Sequence, residues 1–254
     1  MIVYAMYNIK GGVGKTAAAV NLAYLSALDG YRTLIIDLDP QAACSFYLRT
    51  EGGNQPGKKT LLRGSKKIMR NIKGSDYRNL DILPADFSLR NLDLVISQMK
   101  KPRKRLAKGL KYLRKSYDVM VIDCPPNITL VSENVFNAAD YILVPVIPTT
   151  LSVRTYQQLY EFLVDQDGNS DKIKPFFSMV EKRKKMHRDI IQTYSSNKTV
   201  FMNAVIPYSS LVEKMGIYRA PVELYASTSP AAKAYRRLWK EIKKLSKLVN
   251  PGRI

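Results

Sequence analysis

A glycine-rich stretch near the start of the chain has the residue types that bind phosphate. It reads Lys10-Gly11-Gly12-Val13-Gly14-Lys15-Thr16. Glycines let successive backbone N–H groups converge on phosphate oxygens, and a lysine beside them supplies positive charge. In such a loop Lys15 neutralises the β- and γ-phosphates of a nucleotide and the Thr16 hydroxyl coordinates Mg²⁺. The stretch therefore predicts a phosphate loop that binds Mg-ATP.

The start of this loop departs from the common phosphate-loop pattern. That pattern has a glycine five positions before Gly14. Here Ile9 stands at that position and Lys10 follows it. A second lysine at this point cannot easily reach the phosphates of its own loop past the turn. The departure raises the hypothesis that Lys10 serves a nucleotide bound across a dimer interface.

Carboxylates follow two apolar runs further along the chain. Asp37 and Asp39 end the run Leu34–Ile36, and Asp123 ends the run Val119–Ile122. If both runs are buried parallel strands, these side chains face one crevice at the carboxyl edge of the sheet. A single aspartate at a strand end is often only a turn residue. Beside a phosphate loop, however, the set predicts that Asp123 holds the water shell of a metal and Asp39 orients the attacking water.

The elements that must position these residues alternate between strands and helices. The predicted strands are Ile2–Tyr7, Thr33–Asp37, Leu80–Leu83, Val119–Asp123, Tyr141–Val146, Ile173–Met179 and Ala204–Ile206. The loop lies between the first strand and a helical pattern over Ala17–Leu28, which is the context that phosphate binding requires. We therefore expect an α/β fold of three layers, a mainly parallel twisted sheet with helices on both faces. No composition shift marks a boundary, so residues 1–254 are expected to form a single domain.

The charge balance indicates a polyanionic partner. The 41 Lys and Arg residues exceed the 21 Asp and Glu residues by 20, and they are spread along the chain. A high-temperature composition would enrich Lys and Glu together. Because acidic residues are scarce here, nucleic acid is favoured ahead of membrane. The two cysteines, Cys44 and Cys124, have no paired spacing, so the sequence indicates neither a disulfide scaffold nor a zinc site, and a reducing cytosol is the simplest setting.

Two other features are predicted to lie at the surface. The irregular, glycine-rich stretch Thr50–Gly57 leads into the basic run Lys58–Lys73 and is predicted to be a surface loop. The sole histidine, His187, lies among basic residues and is predicted to be a surface residue and not a catalyst.

The C-terminal stretch Ala231–Val249 is amphipathic and leaves two interpretations open. Its apolar stripe and its basic remainder are typical of a helix at a membrane surface. The same spacing is more often that of a terminal helix packed on a sheet. Pro230 at the start and Asn250-Pro251-Gly252 at the end are residues that commonly begin and end a helix. We therefore favour the interpretation of a helix docked on the sheet.

Taken together, these motifs resemble those of ParA-type partition ATPases. That family is a branch of the deviant Walker A group, which also contains MinD and the nitrogenase iron protein. The resemblance extends over nearly the whole chain. The residues that carry it are Asn8–Thr16, Asp37-Leu38-Asp39-Pro40-Gln41, Val121–Pro126, Val144-Pro145-Val146, Pro207 and Pro221–Tyr225.

The resemblance implies a role for each site residue. Lys10 matches the signature lysine, which reaches the partner subunit's nucleotide in an ATP-bound sandwich dimer, and Asp39 and Asp123 match the hydrolytic and Walker B aspartates. The implied catalytic set is Lys10, Lys15 and Asp39, and the implied metal ligands are Thr16, Asp39 and Asp123. The implied nucleotide-binding set is Lys10, Gly11, Gly12, Val13, Gly14, Lys15, Thr16, Ala17 and Pro207.

The family resemblance also implies partners. Such proteins bind DNA nonspecifically as ATP-bound homodimers in the cytoplasm, on the nucleoid, and a ParB-type centromere-binding protein releases them by stimulating slow hydrolysis. Arg183 matches one of two familiar DNA-contacting arginines, whereas Leu211 occupies the position of the other. A run without acidic residues offers further candidates, Lys100, Lys101, Arg103, Lys104 and Arg105. A MinD-like membrane ATPase is the alternative. An electron-transfer enzyme would need paired cluster cysteines, for which Cys124 alone is not enough.

Overall fold

The computed structural model describes residues 1–50, 62, 66–85, 87–167, 169–196 and 201–248. Within them, strands and helices alternate along the chain. The strands are β1 (Ile2–Met6), β2 (Thr33–Asp37), β3 (Lys73–Gly74), β4 (Leu80–Leu83), β5 (Val119–Asp123), β6 (Tyr141–Val146), β7 (Ile173–Val180) and β8 (Val205–Pro207). The helices are α1 (Lys15–Leu28), α2 (Ala43–Tyr47), α3 (Leu92–Ser97), α4 (Arg105–Leu110), α5 (Leu130–Ala138), α6 (Thr150–Asp167), α7 (Lys185–Ser196), α8 (Ser210–Glu213), α9 (Met215–Tyr218), α10 (Val222–Ala226) and α11 (Pro230–Leu245).

The described strands form one sheet in the order β3-β4-β2-β5-β1-β6-β7-β8. The short pair β3 and β4 is antiparallel, and the other neighbouring strands are parallel. Parallel strands bring their carboxyl ends to one edge of the sheet, where α/β proteins bind ligands. Strand β1 lies between β5 and β6, so the loop that follows it opens at the middle of this edge.

Helices cover both faces of the sheet, as predicted. Side chains of β1 alternate between two hydrophobic clusters, with Val3 and Ala5 in one and Tyr4 and Met6 in the other. Helices α1 and α11 pack on the face of Tyr4, while α5 and α6 pack on the opposite face. The prediction of a three-layer α/β fold with a mainly parallel sheet is confirmed.

The predicted strands differ from the observed ones only at their ends. Strand β1 stops one residue earlier than predicted, whereas β7 continues to Val180 and β8 is displaced by one residue to Val205–Pro207. The two-residue strand β3 was not predicted, because lysine and glycine give no apolar pattern. In the predicted loop Thr50–Gly57, all residues after Thr50 lie outside the described part of the chain.

The C-terminal helix α11 is docked on the sheet. It starts at Pro230 with the Ser229 side chain as its N-cap, and Tyr235, Leu238, Trp239 and Ile242 are buried in the cluster that also contains α1. The docked-helix interpretation is therefore confirmed over the described residues. A search of the described helices finds none with the length and apolar character needed to cross a bilayer.

Candidate functional site

The loop between β1 and α1 is fixed at its start by a buried asparagine. The Asn8 side-chain amide donates to the Pro145 carbonyl oxygen at 2.7 Å. Its side-chain oxygen accepts a hydrogen bond from the Lys10 backbone N–H at 2.9 Å. Because Pro145 belongs to the neighbouring strand β6, this side chain ties the loop to the rigid sheet.

Two glycines give the loop its curvature. Gly12 and Gly14 have φ angles of +69° and +88°, and Gly14 immediately precedes α1. A side chain at Gly14 would be strained by this φ, and its Cβ would lie 3.1 Å from the Ser178 Oγ. The first N–H groups of α1 have no partner within the helix, so they and the positive end of the helix dipole offer an anion site.

The two lysines of the loop have different partners. Lys15 is buried, and its ammonium donates to the Lys10 carbonyl oxygen at 3.2 Å. Burial lowers the pKa of Lys15, an effect that the nearby Asp123 carboxylate opposes. The Lys10 ammonium donates to the Ser152 Oγ at 3.0 Å, and Ser152 lies in the first turn of α6. Ser152 could not be predicted from its position in the chain, because a serine near the start of a helix is ordinary.

Two aspartates stand side by side at the carboxyl edge. Asp37 and Asp123 are partners in the parallel pairing of β2 and β5. Asp123 is fully buried, and neither of its carboxylate oxygens makes a hydrogen bond of normal geometry. Burial is the main reason that the pKa of Asp123 is raised well above its usual value, and the negative charge of Asp37 adds to it. The nearby Thr16 hydroxyl opposes the rise in that pKa.

Asp37, in contrast, is fully hydrogen-bonded. One of its oxygens accepts from the Ser45 backbone N–H at 2.8 Å and from the Ser45 hydroxyl at 2.7 Å. The other accepts from the Asp39 N–H at 3.2 Å. Burial nevertheless raises the pKa of Asp37 to about 6. The network indicates that Asp37 shapes the turn while Asp39 is left half-buried, with one oxygen accepting from the Gln41 N–H at 2.9 Å.

The arrangement is suited to a nucleotide phosphate together with a hard cation. Mg²⁺ is commonly held by one or two carboxylates together with substrate phosphates. Among the described residues no group of three or more His, Cys, Asp or Glu residues is placed to hold a metal by itself. The unpartnered Asp123 oxygens and the Thr16 hydroxyl fit a cation that gains its remaining ligands from phosphate and water. Neighbouring Lys15 and the free N–H groups fit the phosphates.

The other predicted binding residues lie away from this cluster. Pro207 ends the edge strand β8, three strands from β1. Arg183 is exposed in the turn after β7, where its carbonyl accepts a hydrogen bond from Arg188. Between residues 100 and 105, Arg103 pairs with Glu133 at 2.8 Å, and the Arg105 guanidinium donates to the Lys100 carbonyl. The exposed side chains of Lys100, Lys101 and Lys104 are therefore the ones best placed to contact a partner.

The surface assignment of His187 is wrong. The side chain is 2% exposed, and its Nδ1 accepts a hydrogen bond from the Glu181 N–H at 3.1 Å. Burial lowers the pKa of His187, and the positive charge of Lys184 lowers it further. The basic residues around it in the sequence suggest exposure, and they are exposed in the structure, whereas the imidazole is buried and bonds to the backbone at the end of β7.

A central parallel strand, a loop with two left-handed glycines, a buried lysine at the start of a helix and an unpartnered aspartate on the adjacent strand define a P-loop nucleotide-binding protein. The chain belongs to the AAA domain family AAA_31, whose model matches residues 1–175. The resemblance to ParA- and Soj-type partition ATPases is confirmed by the relatives described next.

Two relatives are similar over almost their whole length. The sporulation initiation inhibitor protein Soj of Bacillus subtilis is 28% identical, with 94% of this chain and 97% of Soj covered. The chromosome partitioning protein ParA of Caulobacter vibrioides is 29% identical, with 94% of this chain and 93% of ParA covered. Among solved structures, cobyrinic acid a,c-diamide synthase from Mycobacterium smegmatis, with a bound ATP analogue and magnesium, shares the fold. Its TM-score is 0.80 at 23% identity, with 97% of this chain and 96% of the synthase covered.

Proposed function

We propose that this chain is a partition ATPase that binds and hydrolyses Mg-ATP and alternates between a monomer and a DNA-binding homodimer. The observation that carries the proposal is the phosphate loop beside a buried, unpartnered Asp123 carboxylate. A buried charge without a partner is costly, and a cation at that point removes the cost. The names of the Soj and ParA relatives support partitioning as the process that uses the nucleotide.

The residues of the loop and of the carboxyl edge of the sheet have separate proposed roles in binding phosphate, binding magnesium and activating water. Lys15 and the N–H groups from Gly11 to Ala17 would bind the phosphates, and Pro207 would lie on the side of the base. Thr16, Asp39 and Asp123 would hold Mg²⁺, which when bound neutralises the charge that develops on the phosphate oxygens. Asp39 keeps one carboxylate oxygen on the Gln41 N–H, so its other oxygen is left to orient the attacking water and accept its proton.

Lys10 is proposed to act on the nucleotide of a second copy of the chain. In the monomer its ammonium has a neutral partner, the Ser152 hydroxyl. A phosphate oxygen would be a charged acceptor, and charge-assisted hydrogen bonds are roughly twice as strong as neutral ones. Replacing the hydrogen bond to the Ser152 hydroxyl by one to a phosphate oxygen of the second chain's nucleotide therefore favours the dimer once both chains hold nucleotide.

Two substitutions test the nucleotide site. Lys15→Ala is expected to abolish binding of a fluorescent ATP analogue, because the phosphates lose their buried cation. Asp39→Ala is expected to keep that binding, slow phosphate release and trap the ATP-bound dimer on DNA. Normal turnover by Asp39→Ala would remove the hydrolytic assignment. The exposed Asp165→Ala provides the matched control and should leave both readouts unchanged.

A matched pair of substitutions tests the role of Lys10. Lys10→Ala is expected to leave an ATP-binding monomer in sedimentation velocity runs with a slowly hydrolysed analogue. Ser152→Ala removes the same intramolecular hydrogen bond but keeps the ammonium, so it should dimerise at least as well as the wild type. Unchanged ATP-dependent dimerisation of Lys10→Ala refutes the role across the interface.

DNA binding is proposed from the net charge of +20 and from exposed basic side chains. A dimer that neutralised about six phosphates would show a log–log salt slope of roughly −5. Replacing Lys100, Lys101 and Lys104 together by alanine removes six charges from a homodimer and should make that slope shallower by about 5 if all three contact phosphate in both chains. The control is Lys111→Ala/Lys115→Ala, and an equal loss per charge removed would mean that the effect is only one of net charge.

The remaining parts of the proposal concern partners and place. A ParB-type protein is proposed to stimulate hydrolysis, and the working site is proposed to be the nucleoid in the cytoplasm. A MinD-like membrane role has less support, since the apolar face of α11 is already buried against the sheet. Co-sedimentation of the full chain with duplex DNA and with anionic liposomes, with ATP in both, separates the two roles. ATP-dependent liposome binding without DNA binding would reverse the preference.

A further inference from the structure

A groove of about 1080 Å³ runs along the outer edge of the sheet, beside the edge strand β8. Helices α7 and α11 form its two walls. Its apolar lining includes Val180, Ile191 and Val205. Apart from Pro207 at one end, no residue of the proposed nucleotide site contributes to it. The groove is therefore separate from the phosphate loop.

The rim of the groove is strongly basic. Its cationic side chains are Lys182, Arg188, Arg237, Lys240 and Lys244, and its acidic side chain is Glu241. The Glu241 carboxylate accepts a hydrogen bond from the Asn203 backbone N–H at 2.9 Å, so it is already engaged at the start of β8. Because five cationic side chains face one carboxylate, the groove has a positive potential.

Helix α11 carries basic residues on two sides, and their neutralisation differs. On one side Arg236 pairs with Glu223 and Lys243 pairs with Asp29. On the groove side Lys240 and Lys244 stand one helical turn apart and form no salt bridge with any residue that the structure describes. The groove side is thus the one that has charge available for a partner.

The chemistry of the groove selects the kind of partner. Strand addition to β8 is disfavoured, because the strand has only three residues and one of them, Pro207, has no N–H. A nucleic acid would use the basic rim through its phosphates but would leave the apolar lining wet. An occupant that satisfies both parts has apolar side chains for the lining and carboxylates for the rim.

We propose that this groove docks a short acidic, amphipathic segment of a partner protein. Apolar side chains of the segment insert against Ile191 and Val205, and its carboxylates pair with Lys240 and Lys244. Recognition of an amphipathic segment between two helices is a common mode of peptide binding. The inference does not depend on nucleotide binding, since a peptide can dock on the monomer.

Selection from a library of random-sequence displayed peptides on the full chain tests the inference, with excess duplex DNA present to occupy DNA-binding surfaces. Enriched peptides should combine acidic residues with leucine or aromatic residues. Fluorescence anisotropy with such a peptide should show affinity weakened about tenfold or more by Lys240→Glu/Lys244→Glu. Lys111→Glu/Lys115→Glu changes the net charge equally outside the groove and should have little effect.

A second variant separates the peptide from nucleic acid. Ile191→Ser removes apolar lining without changing charge, so it should weaken the peptide severalfold and leave duplex DNA binding unaltered. The proposal is overturned if no acidic apolar sequence is enriched, or if the selected peptides bind both groove variants as tightly as the wild type. It is also overturned if Mg-ATP competes stoichiometrically with the peptide, because the groove would then belong to the nucleotide site.

Discussion

The most informative single substitution is Asp123→Asn, which should stabilise the nucleotide-free protein and weaken its response to Mg-ATP. The carboxylate is fully buried and has no hydrogen-bond partner, so its charge is held at a cost. The neighbouring Asp37 gives a scale for that cost. Its pKa rises from 3.8 to about 6, which corresponds to about 3 kcal/mol despite its hydrogen bonds.

The expected gain is smaller than the full cost of the charge. The asparagine amide remains buried without partners, and an unsatisfied neutral group costs about 1–3 kcal/mol. We therefore expect Asp123→Asn to raise the free energy of unfolding by at most about 2 kcal/mol. For a chain of this size that corresponds to a rise in Tm of at most about 8 °C.

The stability that Asp123→Asn gains over the wild type should increase as the pH rises. The pKa of Asp123 is higher in the folded than in the unfolded protein, so the folded state binds more protons and the wild type loses stability as pH rises. Below about pH 4 the carboxyl is protonated in both states, and the wild type carries no charge penalty there. The advantage of the asparagine should grow from that point upward.

Urea unfolding of the wild type and Asp123→Asn at several pH values, with and without Mg-ATP, measures both effects. Saturating Mg-ATP should stabilise the wild type by about 2.7 kcal/mol at one hundred times its Kd, and it should stabilise the variant less. The exposed Asp165→Asn is the control and should change stability by less than about 0.5 kcal/mol. A variant that is less stable than the wild type at neutral pH without ligand would refute the reasoning.

Three further predictions concern residues that shape the loops around the sheet. Ser45→Ala removes the hydroxyl that donates to Asp37 and should lower the free energy of unfolding by about 1–3 kcal/mol in urea titrations. Gly14→Ala should cost about 1–2 kcal/mol and weaken ATP binding, whereas Gly11→Ala, with no atom within 4 Å of its Cβ, should be milder; equal effects would contradict the backbone argument. The neutral, buried His187 should make the wild type lose stability as pH falls below about 6.5, and His187→Gln should flatten that part of the profile.

Much of the fold could be predicted because the strands are nearly continuous apolar runs. Strands β2, β4, β5 and β6 match their predicted bounds, since each is a largely buried apolar run. The short strand β3 could not be predicted, because its pairing with β4 depends on tertiary contact and not on local pattern.

The site was predictable where its chemistry lies in adjacent residues. Gly12, Gly14, Lys15 and Thr16 are recognisable together because a phosphate loop is a local structure. Ser45 and Ser152 were missed, because serines carry no signal until the fold brings them to Asp37 and Lys10. His187 was misassigned for the same reason, since its burial depends on a turn that its neighbours in sequence do not reveal.

The distribution of unfavourable features explains why this one edge of the sheet is suited to a charged ligand. A buried lysine with only a carbonyl partner and an unpartnered Asp123 both lie around the end of β1. Elsewhere in the described core, Asn21 and Asn134 are hydrogen-bonded, and among the described residues Asp123 is the carboxylate with both oxygens buried and without a partner. These groups destabilise the free protein, and phosphate and magnesium would supply the partners that they lack. Binding of the nucleotide should therefore raise the free energy of unfolding. Substitutions that relieve this cost should therefore stabilise the free chain and reduce its ability to respond to nucleotide.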